Sequence, residues 1–167
     1  MAYQLAEITG GLARDPAGFV AECDQSYQRR LNAAADRILE RMKESPIVLL
    51  SGPSGSGKTT TALKLEQELE RRGVQTHTIS MDNYFKTMNR KTAPRNAEGD
   101  IDYESPQLLD MDLLDETFTK LSRGEWVVVP KFEFARQMRN DSRGTLLKLG
   151  KDEIAIFEGI HALNDDI

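Results

Sequence analysis

A chain of 167 residues, 39% hydrophobic and 29% charged, with no low-complexity tract, has the composition of one globular domain with a real core. Its net charge of −5 argues against broad attraction to nucleic acid or an anionic membrane, and no run approaches the length of a membrane span. The single cysteine, Cys23, excludes an intramolecular disulfide framework, and the opening "MAYQLAEITG" lacks the basic and apolar regions of a leader, so a cytoplasmic location is expected.

Residues 15–44 read as one long helix. Asp15 can cap it and Pro16 suits the first helical position. Phe19, Cys23, Tyr27, Leu31, Ile38 and Met42 recur at close to helical spacing, a stripe best explained by packing on the main domain. Pro46 ends it. Residues 1–46 are therefore expected to be a helical extension preceding a domain over 47–167.

Ile47-Val-Leu-Leu50 has no polar alternation, as in a parallel strand buried on both faces. Gly52-Pro53-Ser54-Gly55-Ser56-Gly57-Lys58-Thr59 follows, a G-x-x-x-x-G-K-[ST] loop leading into a helix to about Arg72, stopped by Gly73. Its glycines let several N–H groups converge on one point, and the helix start adds the positive end of its dipole. Lys58 can reach the outer phosphates of a nucleotide, Thr59 can contact a magnesium ion, and Thr60 extends the phosphate-facing turn. By chance such a pattern would occur in about one chain in a few hundred.

"VQTHTIS" (74–80) is a second strand, completing a βαβ unit and the parallel α/β class. Residues 81–106 read as a long polar loop, of the kind that is functional or mobile. Ser105-Pro106 or Asp110 can begin the next helix, with Leu113, Leu114, Phe118 and Leu121 inward and Gly124 at its end. "EWVVVP" is a third short strand, with Trp126 in its core, and "KFEFARQMRN" can continue it as a ribbon. "EIAIFEG" (153–159) is another buried strand. The expected fold is a nucleotide-binding parallel sheet that stops after its third core strand, with an N-terminal helical extension and a short β-ribbon. One sheet edge beside the phosphate loop is then left open.

A phosphate loop alone does not separate a switch, a motor and a transferase. The guanine-reading N-K-x-D is absent, no D-x-x-G directly follows a buried core strand as a switch requires, and the chain is short for a motor. Two acids stand at strand ends. Glu158 in "IAIFEG" can hold the metal or simply face solvent. Asp82 in "ISMDNYF" can take a proton from an attacking hydroxyl or merely cap the following loop.

The ordered set "GPSGSGKTT", "ISMDNYF", "DIDYESP", "VVVPKFEFARQMR" and "IAIFEGIHAL" resembles the uridine kinase and phosphoribulokinase family of P-loop kinases over roughly residues 47–163. The resemblance implies transfer of a phosphoryl group from ATP with Mg²⁺ to a hydroxyl of a small, nucleoside-like acceptor, and leaves homo-oligomerisation open. It makes Asp82 the catalytic base, Lys58 and Thr59 the phosphate and metal contacts, and Glu158 the acidic partner of the metal. It places Asp102, Phe85, Phe132, Phe134, Gln137 and Arg139 around the acceptor; read on their own, these are a loop cap, core or ribbon packing, and a solvated charge. The family usually has tyrosines where this chain has Phe85 and Phe132, and a histidine where it has Gln137. Fewer hydroxyls weaken discrimination for a pyrimidine nucleoside, leaving phosphoribulokinase-like or pantothenate kinase-like acceptors open. The family's later strands and arginine-rich lid lie beyond Ile167, so residues 1–167 alone are expected to be poorly active. No role is expected for His77 or His161.

Overall fold

Two helices precede the first strand where the sequence pattern predicts one. The structure, a computed structural model, describes residues 4–167. Helix α1 (Leu5–Arg14) ends at Asp15, whose side chain accepts from the Gly18 N–H at 3.0 Å and caps α2 (Pro16–Arg41). Two adjacent glycines, Gly10 and Gly11, are poor helix formers and hide α1 from a propensity reading. Gly11 is also where the helices touch: a Cβ there would lie 2.4 Å from the Phe19 ring. α2 stops three residues before the expected end, and residues 42–44 form a turn.

The stripe on α2 does face the protein. Leu31 and Ala35 are buried, with Ile38 and Met42 partly buried beside them, against Ala62, Leu65 and Leu69 of α3 (Lys58–Arg71). Arg72, just past α3, pairs with Asp36 of α2 and with Glu68 at 2.7 Å. Hydrogen bonds from Arg71 and Arg72 hold the Glu68 carboxyl down at about 2. Truncating Leu31 to alanine is expected to cost about 2–3 kcal/mol and lower the thermal midpoint by roughly 5–10 °C. A thermal scan showing less than about 2 °C would place α2 outside the cooperative unit.

Strand β1 (Ile47–Ser51) enters the phosphate loop, and β2 (Gln75–Ser80) follows α3. The last strand inserts between them. Numbering it after α4 (Met111–Ser122), β3 (Val127–Glu133) and β4 (Met138–Leu147), β5 (Glu153–Gly159) pairs in parallel with both, giving the order β1-β5-β2. Glu158 is level with Leu50 on one side and with Ser80 on the other, so the C-terminal ends of all three strands share one rim. β1 has no second partner among the described residues, as expected, and its residues are half-buried.

β5 carries the core on both faces. Ile154 and Ile156 pack with α2 and α3, while Ala155 and Phe157 pack with Met81, Tyr84, Leu114 and Leu121. The Phe118 ring meets Phe157 edge-on at 4.8 Å. Strand alternation then turns Glu158 to the side of Ile154 and Ile156, the side on which α3 begins.

The "EWVVVP" segment does not join this sheet. β3 pairs antiparallel with β4 as a separate two-stranded ribbon, with a register shift between Val129 and Lys131, at Pro130, which has no N–H to contribute. The second half of β4, Asp141–Leu147, escapes the sequence pattern because Asp141–Thr145 offers only polar residues and a glycine. Trp126, expected in a strand core, lies before β3 and is 59% exposed, with the Lys148 ammonium 5.9 Å from its ring. Val127 and Val129 point inward and Val128 outward, and the same alternation carries Trp126 out. Both expected helix starts are used: Ser105 caps a single 3₁₀ turn at Pro106–Leu108, and Asp110 caps α4.

Candidate functional site

The phosphate loop joins β1 to α3 on the common rim. Gly55 and Gly57 have φ of +72° and +83°, in the left-handed region that only glycine enters freely. At Gly52 the constraint is space, since a Cβ would lie 2.7 Å from Ser56 Oγ. Asp15 and Asp110 cap α2 and α4 with their side chains, and Gln4 and Glu7 form a capping box on α1, whereas α3 begins at Gly57 with no side-chain cap. Its first N–H groups are thus left open to an anion, with Pro53, Ser54, Ser56, Lys58, Thr59 and Thr60 around them.

Thr59 Oγ1 donates to Glu158 Oε1 at 3.2 Å, so the two residues predicted as metal contacts meet across the strand–helix junction. Glu158 is buried, and its Oε2 has no hydrogen-bond partner. A carboxylate oxygen in that position needs a cation or a donor, and a magnesium ion with its waters fits it. Among the described residues there is no cluster of three or more His, Cys, Asp or Glu side chains to form a closed metal cage.

Asp82 lies in a 3₁₀ turn, Met81–Tyr84, capped by Ser80. Met81 and Tyr84 anchor the turn in the core, 1% and 0% exposed, and this leaves Asp82 and Asn83 on the outer side. Burial and then the Glu158 charge raise the Asp82 pKa above the ordinary carboxylate value, while Lys58 and His161 pull it down. One rim therefore brings Asp82, Lys58, Thr59, Glu158 and His161 together. His161 was not foreseen from sequence; a lone histidine has no spacing signal.

The same turn and the segment after it hold the ribbon. Asn83 Oδ1 accepts from the Phe132 N–H at 3.2 Å, the Met88 N–H donates to the Gln137 carbonyl at 2.9 Å, and the Arg139 N–H donates to Thr87 Oγ1 at 3.2 Å. Phe132 stands edge-on to Phe85 at 5.7 Å and to Phe134 at 5.2 Å. These three rings, Gln137 and Tyr103 line a cavity of about 110 Å³. Gln137 has φ 51°, at the tip of the ribbon turn. Tyr103, inside "DIDYESP", is a lining residue that sequence reading passed over.

Two predicted acceptor residues are engaged within the protein. Asp102 Oδ1 accepts from the Glu104 N–H at 3.0 Å, the local cap that its loop position suggests, and Asp102 does not line the cavity. Arg139 pairs with Asp110 at 2.5 Å and with Asp141 at 2.9 Å, joining the ribbon to the cap of α4. It is 24% exposed, so it is not a free solvated charge.

No helix among the described residues is long and apolar enough to cross a membrane. The model of the Phosphoribulokinase / Uridine kinase family matches residues 47–167. The uridine kinase of Schizosaccharomyces pombe is 34% identical over 117 residues, which cover 70% of this chain and 25% of that protein. The uridine kinase of Staphylococcus aureus strain JH9 is 32% identical over 126 residues, covering 75% of this chain and 58% of that protein. The solved structure of a D-glycerate 3-kinase from Cryptococcus neoformans superposes with a TM-score of 0.60 at 20% identity, covering 79% of this chain and 52% of that one, a likeness of fold. The chain thus spans between 25% and 58% of the length of these relatives, while residues 4–46 lie outside the family match. With its phosphate loop, its acidic strand end and its match over residues 47–167, the chain belongs to the Phosphoribulokinase / Uridine kinase family.

Proposed function

We propose that this chain carries the nucleotide-binding and proton-accepting part of a kinase that moves the γ-phosphoryl group of ATP to a hydroxyl of a small, nucleoside-like molecule. The observation that carries the reading is one rim on which Thr59, next to Lys58, meets Glu158 at 3.2 Å, and Glu158 is level with Ser80, the residue that caps the Asp82 turn. Residues 47–167 form the kinase portion, and residues 4–46 are an extension whose helix α2 docks along α3.

The loop N–H groups and Lys58 hold the triphosphate, and the dipole of α3 favours its negative charge. Glu158 and Thr59 would hold a magnesium ion, which neutralises phosphate charge when bound. Asp82 accepts the proton of the acceptor hydroxyl as that oxygen bonds to phosphorus and the bond to ADP breaks. The raised pKa leaves it a better base than an ordinary aspartate. Phe85, Phe132, Phe134, Tyr103 and Gln137 wall the acceptor, and Asp102 would turn to a sugar hydroxyl only by giving up its local cap.

Rings at 85 and 132, with no hydroxyl to donate, favour keeping a second acceptor class in view. Acceptor-dependent ADP release by the complete gene product should be measured with uridine, cytidine, ribulose 5-phosphate and pantothenate. The highest kcat/KM is expected with a pyrimidine nucleoside. Preference for another alcohol would move the acceptor assignment and keep the kinase. ATP binding without turnover on any of them would make the chain a non-catalytic nucleotide binder and end the proposal.

A further inference from the structure

His161 is a polar group on the catalytic rim to which phosphoryl transfer, as proposed, assigns no role. It follows β5 by two residues, where the chain turns between the phosphate loop and the Asp82 turn. Ser51, at the start of the phosphate loop, donates from Oγ to the Ile160 carbonyl at 2.9 Å. On the other side Gly159 is packed so tightly that a Cβ would lie 2.9 Å from the Met81 Cβ. The Asn164 N–H bonds the His161 carbonyl at 2.8 Å, and Ala162 is wholly buried in the core. His161 is thus held by its backbone on both sides and by the residue after it.

Its ring nitrogen Nε2 is buried and has no hydrogen-bond partner. A buried unpaired polar atom destabilises the fold, and a ligand that supplied a partner would relieve that cost. A second unpaired buried atom stands on the same rim, Glu158 Oε2. His77 makes the contrast: its Nε2 is 3.2 Å from Glu153 Oε2, at the far end of the sheet.

We propose that His161 is a catalytic residue that donates a hydrogen bond from Nε2 to a non-bridging oxygen of the phosphoryl group in transit. The bond from the acceptor oxygen to phosphorus forms, the bond from phosphorus to the ADP oxygen breaks, and the acceptor proton goes to Asp82. His161 keeps its own proton throughout. Its donor meets charge on the moving group, where a fixed donor in a water-poor site acts most strongly. The ring is also close enough to Asp82 for its charge to be felt there. The inference rests on the phosphoryl-transfer reading and can fail separately from it.

With only two histidines in the chain, imidazole NMR of ¹⁵N-labelled protein gives a direct test with an internal control. Mg²⁺, ADP and aluminium fluoride, with the preferred acceptor, should bring out a downfield, slowly exchanging Nε2 proton at His161 and leave His77 unmoved. Shifts of the Gly55 and Gly57 amides report nucleotide binding independently. If those amides shift and His161 does not, the inference is overturned and the kinase reading stands; if they do not shift, both fall. In the complete gene product, His161→Leu should lower kcat by roughly 100-fold with nucleotide affinity within about threefold, and His161→Gln, which keeps a donor, should recover most of it. Equal losses for Leu and Gln would mark the residue as structural and overturn the role.

Discussion

Replacing Asp82 with asparagine should lower phosphoryl transfer by about 10³-fold or more while ATP affinity stays within about threefold. The side chain keeps its shape and loses only the ability to take a proton. Met81 and Tyr84 hold the turn in the core, so the substitution leaves the anchor intact. The same variant should be more stable. Asp82 has its folded-state pKa raised, first by burial and next by Glu158, so the folded protein binds this proton more tightly than the unfolded chain does. Stability therefore falls as pH rises from the unfolded value through the folded one. Asparagine carries no such penalty. Its thermal midpoint should exceed that of the parent at pH 7, and the gap should close as pH falls below the ordinary aspartate pKa. Loss of ATP binding, or a lower midpoint at pH 7, would make Asp82 a structural cap.

That pairing of lost activity with gained stability follows from where the residue sits, and the sequence makes part of it legible. "IVLL" before the glycines and "IAIF" before Glu158 are apolar without alternation, which marks two parallel core strands, although only the second is fully buried and the first, at the sheet edge, is half-buried. Once β5 lies between β1 and β2, parity alone sends Glu158 toward Thr59. Other features depend on contacts that no local pattern encodes. α1 is helical although it contains Gly10 and Gly11, because Gly11 admits the Phe19 ring. The outer half of β4 is polar and becomes a strand only by pairing with Val127–Val129. Trp126 is apolar and exposed because strand alternation overrides hydrophobicity. Tyr103 and His161 reach their places through the tertiary path of a loop and a turn. Arg139, which resemblance sends to the acceptor, pairs with Asp110 and Asp141 across the tertiary fold. These are the positions at which distant chain segments decide the outcome.

Replacing Glu158 with glutamine should weaken magnesium-dependent nucleotide binding by about 10–100-fold and leave metal-free ADP binding nearly unchanged. Oε1 accepts from Thr59, and a glutamine carbonyl can keep that bond. Oε2 is the unpaired atom, and an amide NH₂ there cannot bind a cation. The change also reaches Asp82. Glu158 is the charge that raises the Asp82 pKa after burial, so its removal should move the acid limb of the pH–rate profile to lower pH. The stability gained from Asp82→Asn should likewise shrink in the Glu158→Gln background, because one of the two terms it relieves is already gone. Titrating ADP binding with magnesium, and comparing thermal midpoints of the two single variants and the double variant at pH 7, measures each effect separately. An unchanged magnesium dependence would remove Glu158 from the metal site, and strict additivity of the two midpoint shifts would show that the carboxylates do not share one rim electrostatically.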